Sequence, residues 1–162
     1  MKTEKATFAL GCFWKPDKVF SKTPGVVETT VGYIGGKVER PFYENVYSGN
    51  TGHVESIQIE FNPKKISYEK LLNIFWRIHN PTTKNRQGLD VGTQYNSVIF
   101  YHNNKQKEEA KNSKNEIQKN YKEKIITEIK KAPKFWKAER YHQKYFEKKK
   151  EKPLLERFFG FR

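Results

Sequence analysis

Cys12 is the only cysteine in the sequence, and its surroundings favour a nucleophilic role. It lies where a predicted strand gives way to a predicted helix, and the unpaired N–H groups of a helix start stabilise a thiolate. Lys15 adds a positive charge nearby, while Phe13 and Trp14 provide an apolar wall beside the sulfur. The alternative is structural: Cys12 is then a small buried apolar residue, and both aromatic residues belong to the core.

Glu55 is the second residue whose position indicates chemistry. Within the predicted strand 54–61, the alternation of side chains puts Glu55 on the same face as Ile57, Ile59 and Phe61. Burial on that face would raise the pKa of the carboxyl group and keep it protonated near neutral pH, as a general acid requires. The alternative is that Glu55, close to the start of the strand, reaches solvent at the edge of the sheet.

The histidines and the single cysteine argue against a metal centre. The histidines are scattered at none of the spacings typical of metal ligands, and one cysteine cannot complete a zinc cluster. We therefore expect no metal and no bound cofactor. The histidines are His53, His79, His102 and His142.

The sequence also bears on the compartment in which the protein works. No stretch approaches the roughly 18 apolar residues of a membrane span, and residues 1–5 lack the apolar run of a secretory signal. One cysteine cannot form an internal disulfide, which fits a reducing compartment. We expect a cytoplasmic protein with no membrane partner.

The chain is strongly basic, because 32 Lys and Arg residues against 18 Asp and Glu residues give a formal net charge of +14. This charge and the many aromatic residues suggest a nucleic-acid-binding protein as the main alternative to an enzyme. The lysines are spread along predicted solvated helix faces, however, and do not flank an aromatic platform. We therefore expect no nucleic-acid partner.

The order of predicted elements is strand, helix, strand, strand, helix, strand, helix, strand, helix. It predicts an α+β two-layer sandwich, with a mixed β-sheet that has a ferredoxin-like plait core and helices packed against it. We expect a single domain over 1–162, with 147–162 as a basic and aromatic C-terminal tail. The predicted strands are 6–10, 26–34, 54–61, 95–102 and 124–130; the predicted helices are 14–20, 68–78, 104–122 and 138–146.

The segment Gly11-Cys12-Phe13-Trp14 resembles the active-site signature of the type A peptide methionine sulfoxide reductases. Further motifs follow in the order that this family shows, so the resemblance runs from about Ala6 to Phe146. A chance match of several motifs, in the same order and over most of a chain, is extremely rare. These motifs cover 32–36, 41–46, 49–55, 79–82, 86–95 and 138–143.

The resemblance implies a peptide-methionine (S)-S-oxide reductase that acts on free methionine sulfoxide or on methionine sulfoxide within proteins. Cys12 would attack the sulfoxide sulfur and take the oxygen as a cysteine sulfenic acid. Glu55 would give a proton to the sulfoxide oxygen, and the hydroxyl groups of Tyr43 and Tyr95 would hold that oxygen.

The remaining implied site residues shape the pocket. Phe13 and Trp14 would receive the methyl group of the substrate, and Asp90 would help to fix the site. Two positions depart from the family pattern, since Asn80 and Asn96 stand where the family suggests Asp and Arg. We expect these departures to tune the site without abolishing it.

Many members of the family carry resolving cysteines towards the C-terminus, and residues 148–162 contain none. An intramolecular disulfide is therefore impossible. We expect the sulfenic acid of Cys12 to be reduced by an external thiol, either thioredoxin or glutathione with glutaredoxin. A different possibility is that the fold persists in an impaired enzyme whose Cys12 acts as a redox sensor.

Overall fold

The structure, a computed structural model, describes residues 1–151. Of the predicted tail 147–162, residues 152–162 lie outside this described part. The strands are β1 Glu4–Leu10, β2 Val26–Ile34, β3 Val54–Phe61, β4 Arg86–Gln87, β5 Asp90–Val91, β6 Ser97–Tyr101, β7 Glu128–Lys131 and β8 Phe135–Lys137. The helices are α1 Trp14–Ser21, α2 Tyr43–Tyr47, α3 Tyr68–Arg77, α4 Asn104–Gln118 and α5 Tyr145–Glu151, with 3-10 turns at Thr93–Tyr95 and Arg140–His142.

Six of the strands form one mixed sheet in the order β7-β6-β1-β3-β2-β8. The β6–β7 pair is parallel and the other pairs are antiparallel. Strands β4 and β5 form a separate short hairpin. The prediction of an α+β fold with a mixed sheet and helices packed against it is confirmed.

The larger core lies between one face of this sheet and the helices. Strand β3 contributes Ile57 and Ile59, while α3 contributes Leu71 and Phe75, all fully buried. Helix α3 has the predicted apolar stripe, and the Ser67 side chain caps it by accepting a hydrogen bond from a backbone N–H. A smaller apolar cluster covers the opposite face of the sheet.

The predicted last helix, 138–146, is wrong in its start and in its continuity. The structure has the edge strand β8, a 3-10 turn and then α5, which begins only at Tyr145. The physical reason is Lys144, whose φ of 53° interrupts a right-handed helix. Its ammonium group donates to the oxygens of Thr29 and lies 3.5 Å from the buried Asp17 carboxylate, which holds this unfavourable backbone in place.

Other differences from the predicted elements are smaller. The predicted loop 37–52 contains the short helix α2, and the loop before β6 contains the β4–β5 hairpin. The strand predicted over 124–130 begins only at Glu128, because the N–H of Ile126 donates to the carbonyl of Pro81 and not to a sheet neighbour. Across residues 1–151, none of the helices is long and apolar enough to cross a membrane.

Candidate active site

The start of α1 positions both predicted catalytic side chains. Gly11 has a φ of 95°, which turns the chain out of β1, and a Cβ there would come within 2.7 Å of the Gln87 side chain. No side chain caps α1, so its first N–H groups are free to bind other partners. The N–H of Trp14 donates to Cys12, and the N–H of Phe13 donates to Oε1 of Glu55 at 3.2 Å.

Glu55 is buried, with 2% of its surface exposed, on the core face of β3 that the alternation pattern predicted. Burial raises the pKa of its carboxyl group to about 8, and the negative charge of Asp90 adds to this shift. The hydrogen bond from Phe13 acts in the opposite direction but is the smaller influence. Glu55 is therefore mostly protonated at neutral pH.

Cys12 is half-buried, and its thiol is more basic than the sequence suggested. Burial raises the pKa of Cys12 to about 12; the hydrogen bond from the N–H of Trp14 acts to lower it, and the negative charges of Glu55 and Asp90 act to raise it. Lys15 is exposed and does not offset this shift. The expectation that the helix start holds Cys12 as a thiolate is therefore wrong for this state of the site.

Two tyrosine hydroxyl groups accompany this pair. Tyr95 is buried and Tyr43 is half-buried. Burial and the charge of Glu55 raise the pKa of both phenols, so each keeps its proton and can donate a hydrogen bond. The pKa of Tyr43 also responds to Cys12, and that of Tyr95 responds to Asp90, which indicates that the predicted site residues form one cluster.

The apolar wall is formed by Phe13, which is fully buried, and by Trp14. The indole of Trp14 stacks on Tyr145, with ring centroids 3.8 Å apart and planes 5° from parallel. Its Nε1–H donates to Nδ1 of His142 at 3.0 Å. Because Nδ1 accepts, His142 is neutral with its proton on Nε2, and burial lowers its pKa accordingly.

His142 and Glu139 are site residues that the sequence analysis did not single out. The His142 ring packs against Phe13 and Tyr43, with centroids 5.1 Å and 4.8 Å away. One oxygen of Glu139 accepts from the Tyr33 hydroxyl at 2.9 Å, and the other accepts from the N–H of Tyr43 at 2.8 Å. The matching motif at 138–143 was the available signal, since both residues belong to it.

The two departures from the family pattern lie beside the β4–β5 hairpin that carries Asp90. Asn80 accepts from Thr82, and its backbone exchanges two hydrogen bonds with the Gln87 side chain. Asn96 exchanges two hydrogen bonds with Asn85. Both asparagines thus brace the loop around Asp90, and their effect on the activity stays a prediction.

The other histidines have structural partners. Both ring nitrogens of His53 bond to backbone groups, and those of His79 bond to the carbonyl of Phe75 and the hydroxyl of Ser97. His102 bonds to Thr7. In the described residues, no three His, Cys, Asp or Glu side chains are grouped so that they could hold a metal ion.

The buried Glu55 makes the stability of the protein depend on pH. The folded state holds the Glu55 proton up to about pH 8, whereas an exposed glutamate releases it near 4.5, so stability falls as the pH rises between these values. In the wild type, we expect this loss of unfolding free energy between pH 5 and pH 9 to be on the order of a few kcal/mol. In Glu55→Gln, we expect the loss to be absent. Urea unfolding at both pH values measures it, with Glu60→Gln on the same strand as control; equal pH dependence in wild type and Glu55→Gln would contradict the burial argument.

The environment of Cys12 can be probed by alkylation. We expect the rate of its reaction with iodoacetamide to rise with pH beyond the range of an ordinary thiol, since burial and the Glu55 charge oppose the thiolate. Glu55→Gln should move this rise to lower pH because it removes one of those charges. An unchanged profile in Glu55→Gln, or a shift of the same size in Glu60→Gln, would be inconsistent with the geometry.

The fold brings together a thiol and a carboxylic acid that keeps its proton, groups that are able to perform thiol-based redox chemistry. A family model described as "Peptide methionine sulfoxide reductase" matches residues 4–157. The chain belongs to the peptide methionine sulfoxide reductase family, and it is an oxidoreductase that reduces methionine sulfoxide.

Individual relatives agree with this family. Peptide methionine sulfoxide reductase MsrA of Methanosarcina acetivorans is 56% identical over 148 residues, which cover 90% of this chain and 79% of the relative. The crystal structure of reduced Mxr1 from Saccharomyces cerevisiae is 36% identical with a TM-score of 0.88, over 94% of this chain and 88% of that one. A structure of Mxr1 in complex with Trx2 is 28% identical with a TM-score of 0.64, over 89% and 85% of the two chains.

Proposed function

We propose that Cys12 is the nucleophile and Glu55 the proton donor of a peptide-methionine (S)-S-oxide reductase. The observation that carries this proposal is their shared position at the start of α1, where consecutive backbone N–H groups bind one side chain each. Since Oε1 of Glu55 accepts from Phe13, the other carboxyl oxygen carries the proton and can offer it to a substrate. A sulfoxide oxygen is a poor leaving group until it is protonated.

The reaction transfers one oxygen atom. The Cys12 sulfur attacks the sulfoxide sulfur and forms an S–S bond to it while Glu55 protonates the oxygen. The resulting hydroxyl group then moves to the Cys12 sulfur as the substrate S–O bond and the S–S bond both break, and methionine leaves. Cys12 ends as a sulfenic acid, oxidised by two electrons, and methionine sulfur is reduced by two. The proton released from the thiol restores the proton that Glu55 has given away.

The other predicted residues hold the substrate in place. We assign the Tyr43 and Tyr95 hydroxyls to the sulfoxide oxygen, because both remain protonated donors beside Glu55. Phe13 and Trp14 receive the methyl group, and Asp90 holds its loop against the site. An oxygen side and a methyl side together select one epimer at sulfur. The resemblance to the family implies that this is the S form.

Cys12 must then be restored by an external thiol. The chain has one cysteine, so the sulfenic acid forms a mixed disulfide with an external thiol and releases water, and a second thiol frees Cys12. Thioredoxin, or glutathione with glutaredoxin, fits this requirement, and the complex of the related Mxr1 with Trx2 supports a redoxin. Such thiol pools belong to reducing compartments, which supports the cytoplasm as the place of action.

This requirement is testable by steady-state turnover. We expect sustained production of methionine with dithiothreitol, with thioredoxin and its reductase, or with glutathione and glutaredoxin, and a halt after one methionine per enzyme when every thiol is withheld. The rates rank the reductants. Many turnovers without any thiol would contradict the role assigned to Cys12.

We also infer that residues 1–162 form one domain. Support comes from the sheet, in which β1 near the N-terminus and β8 near the C-terminus belong to the same layer. The inner strand order β6-β1-β3-β2, with α1 and α3 as connections, supports a ferredoxin-like plait as its core.

A further inference from the structure

The exposed apolar side chains of this protein are concentrated around the active site. Large apolar side chains are exposed at seven positions of the described chain, and Met1 and Val27 are the two that lie elsewhere. The other five belong to the segments that carry Tyr43, Asp90 and His142. We call these five the apolar rim: Phe42, Tyr47, Leu89, Val91 and Tyr141.

Two parts of the rim touch the site directly. The Tyr47 ring lies one helical turn from Tyr43, with centroids 5.8 Å apart. The Tyr141 ring packs on His142, with centroids 4.1 Å apart. These contacts place Tyr47 and Tyr141 immediately outside Tyr43 and His142, which pack against each other beside Phe13.

The third part of the rim is the β4–β5 hairpin. Leu89 is fully exposed at its tip, and Val91 is 75% exposed on the other side of Asp90. The hairpin lies close to the site, because its Gln87 side chain packs against Gly11, next to Cys12, and the charge of Asp90 raises the pKa of Cys12 and of Glu55. Neither Leu89 nor Val91 belongs to an apolar core cluster, so core packing does not explain why this hairpin carries apolar residues.

We infer that the apolar rim binds the polypeptide on either side of the oxidised methionine, and that it favours apolar or aromatic neighbours there. This inference rests on the proposed function. Cys12 is half-buried, so a methionine sulfoxide side chain must enter the site while its main chain stays outside, where the rim lies. The neighbouring side chains of the substrate then cover Leu89, Val91 and Tyr141.

The physical driving force is the removal of apolar surface from water. A peptide with apolar side chains beside the methionine sulfoxide buries more apolar surface on the rim than free methionine sulfoxide does. Segments with apolar residues are buried in folded proteins and exposed in unfolded ones. The rim therefore directs the enzyme towards unfolded or damaged chains.

The test compares three substrates with dithiothreitol as the reductant, so that no redoxin has to dock. They are free methionine sulfoxide, a peptide with methionine sulfoxide between Leu and Phe, and a peptide of equal length and charge with Ser at both positions. The variants are Leu89→Ser and Val91→Ser. The matched control is Val27→Ser, which removes an apolar side chain that is 45% exposed near the far end of β2, about 20 Å along the strand from Tyr33.

We expect the wild-type kcat/KM to be about tenfold higher for the apolar peptide than for the serine peptide. Leu89→Ser and Val91→Ser should each remove most of that preference and leave the rate with free methionine sulfoxide within about twofold, a separation expected when only binding outside the reacting centre is lost. Val27→Ser should retain the full preference.

Equal rates for both peptides in the wild type, or equal losses for peptide and free substrate in the variants, would overturn the inference. A loss seen only when thioredoxin replaces dithiothreitol would assign the rim to the reductant, and a loss of self-association in sedimentation with unchanged preference would assign it to a second copy; both results overturn it. Absence of activity on all three substrates would instead refute the proposed function.

Discussion

Replacement of Cys12 by serine is expected to lower kcat/KM for methionine sulfoxide on the order of 10⁴-fold or more. A serine hydroxyl group is far less acidic and less nucleophilic than a thiol, and it does not take up the sulfoxide oxygen in a form that thiols can reduce. Steady-state assay with dithiothreitol measures the effect.

The structure also provides the control for this variant. Cys12 is half-buried, and within residues 1–151 its side chain has no hydrogen bond other than the one from Trp14. Cys12→Ser should therefore keep its unfolding free energy within about 1 kcal/mol. A folded Cys12→Ser protein with wild-type activity would show that another group performs the reduction.

Replacement of Glu55 by glutamine is expected to lower kcat by about 10²-fold to 10³-fold, less than the loss of Cys12. Glutamine keeps an acceptor for the N–H of Phe13 and has no acidic proton to give to the sulfoxide oxygen. Glu60→Gln on the same strand serves as the control and should leave kcat unchanged. A near-normal rate for Glu55→Gln would indicate that water or a tyrosine donates the proton.

The pH profile separates a catalytic Glu55 from a structural one. In the reactive form, Cys12 is a thiolate and Glu55 is protonated. The two residues then share one proton, as they also do when Cys12 is a thiol and Glu55 a carboxylate, so the two forms keep a fixed ratio at every pH. Because the pKa of Glu55 is about 8 and that of Cys12 about 12, the population of the reactive form increases with pH up to about 8 and is constant between about 8 and 12. We expect the wild-type kcat/KM to level off near pH 8 and that of Glu55→Gln to continue rising.

The positions of Cys12 and Glu55 in the fold were predictable because each residue has a local signal. Cys12 follows a strand and precedes a helix, and Glu55 interrupts the apolar face of β3, which its burial confirms. The sheet was predictable as a mixed one because β-branched strands alternate with amphipathic helices. These patterns depend on neighbours within a few residues.

Features that depend on long-range contacts were not predictable in this way. The burial that raises the pKa of Cys12 comes from packing that the sequence near Cys12 does not show. The turn that carries His142 is followed by Lys144, which bonds to Asp17 and Thr29, more than a hundred residues away in sequence. Glu139 joins Tyr33 and Tyr43 across a similar separation.

We propose that Cys12 takes the oxygen of methionine sulfoxide with Glu55 as the proton donor, and that an external thiol then regenerates the thiol of Cys12. The most direct measurement is a single turnover with ¹⁸O-labelled methionine sulfoxide and no thiol, followed by dimedone trapping in one sample and by intact mass analysis in another. We predict one methionine per enzyme, a dimedone adduct on Cys12 and an ¹⁸O mass increase that dithiothreitol reverses. Methionine formed without label or adduct on Cys12 would contradict the account.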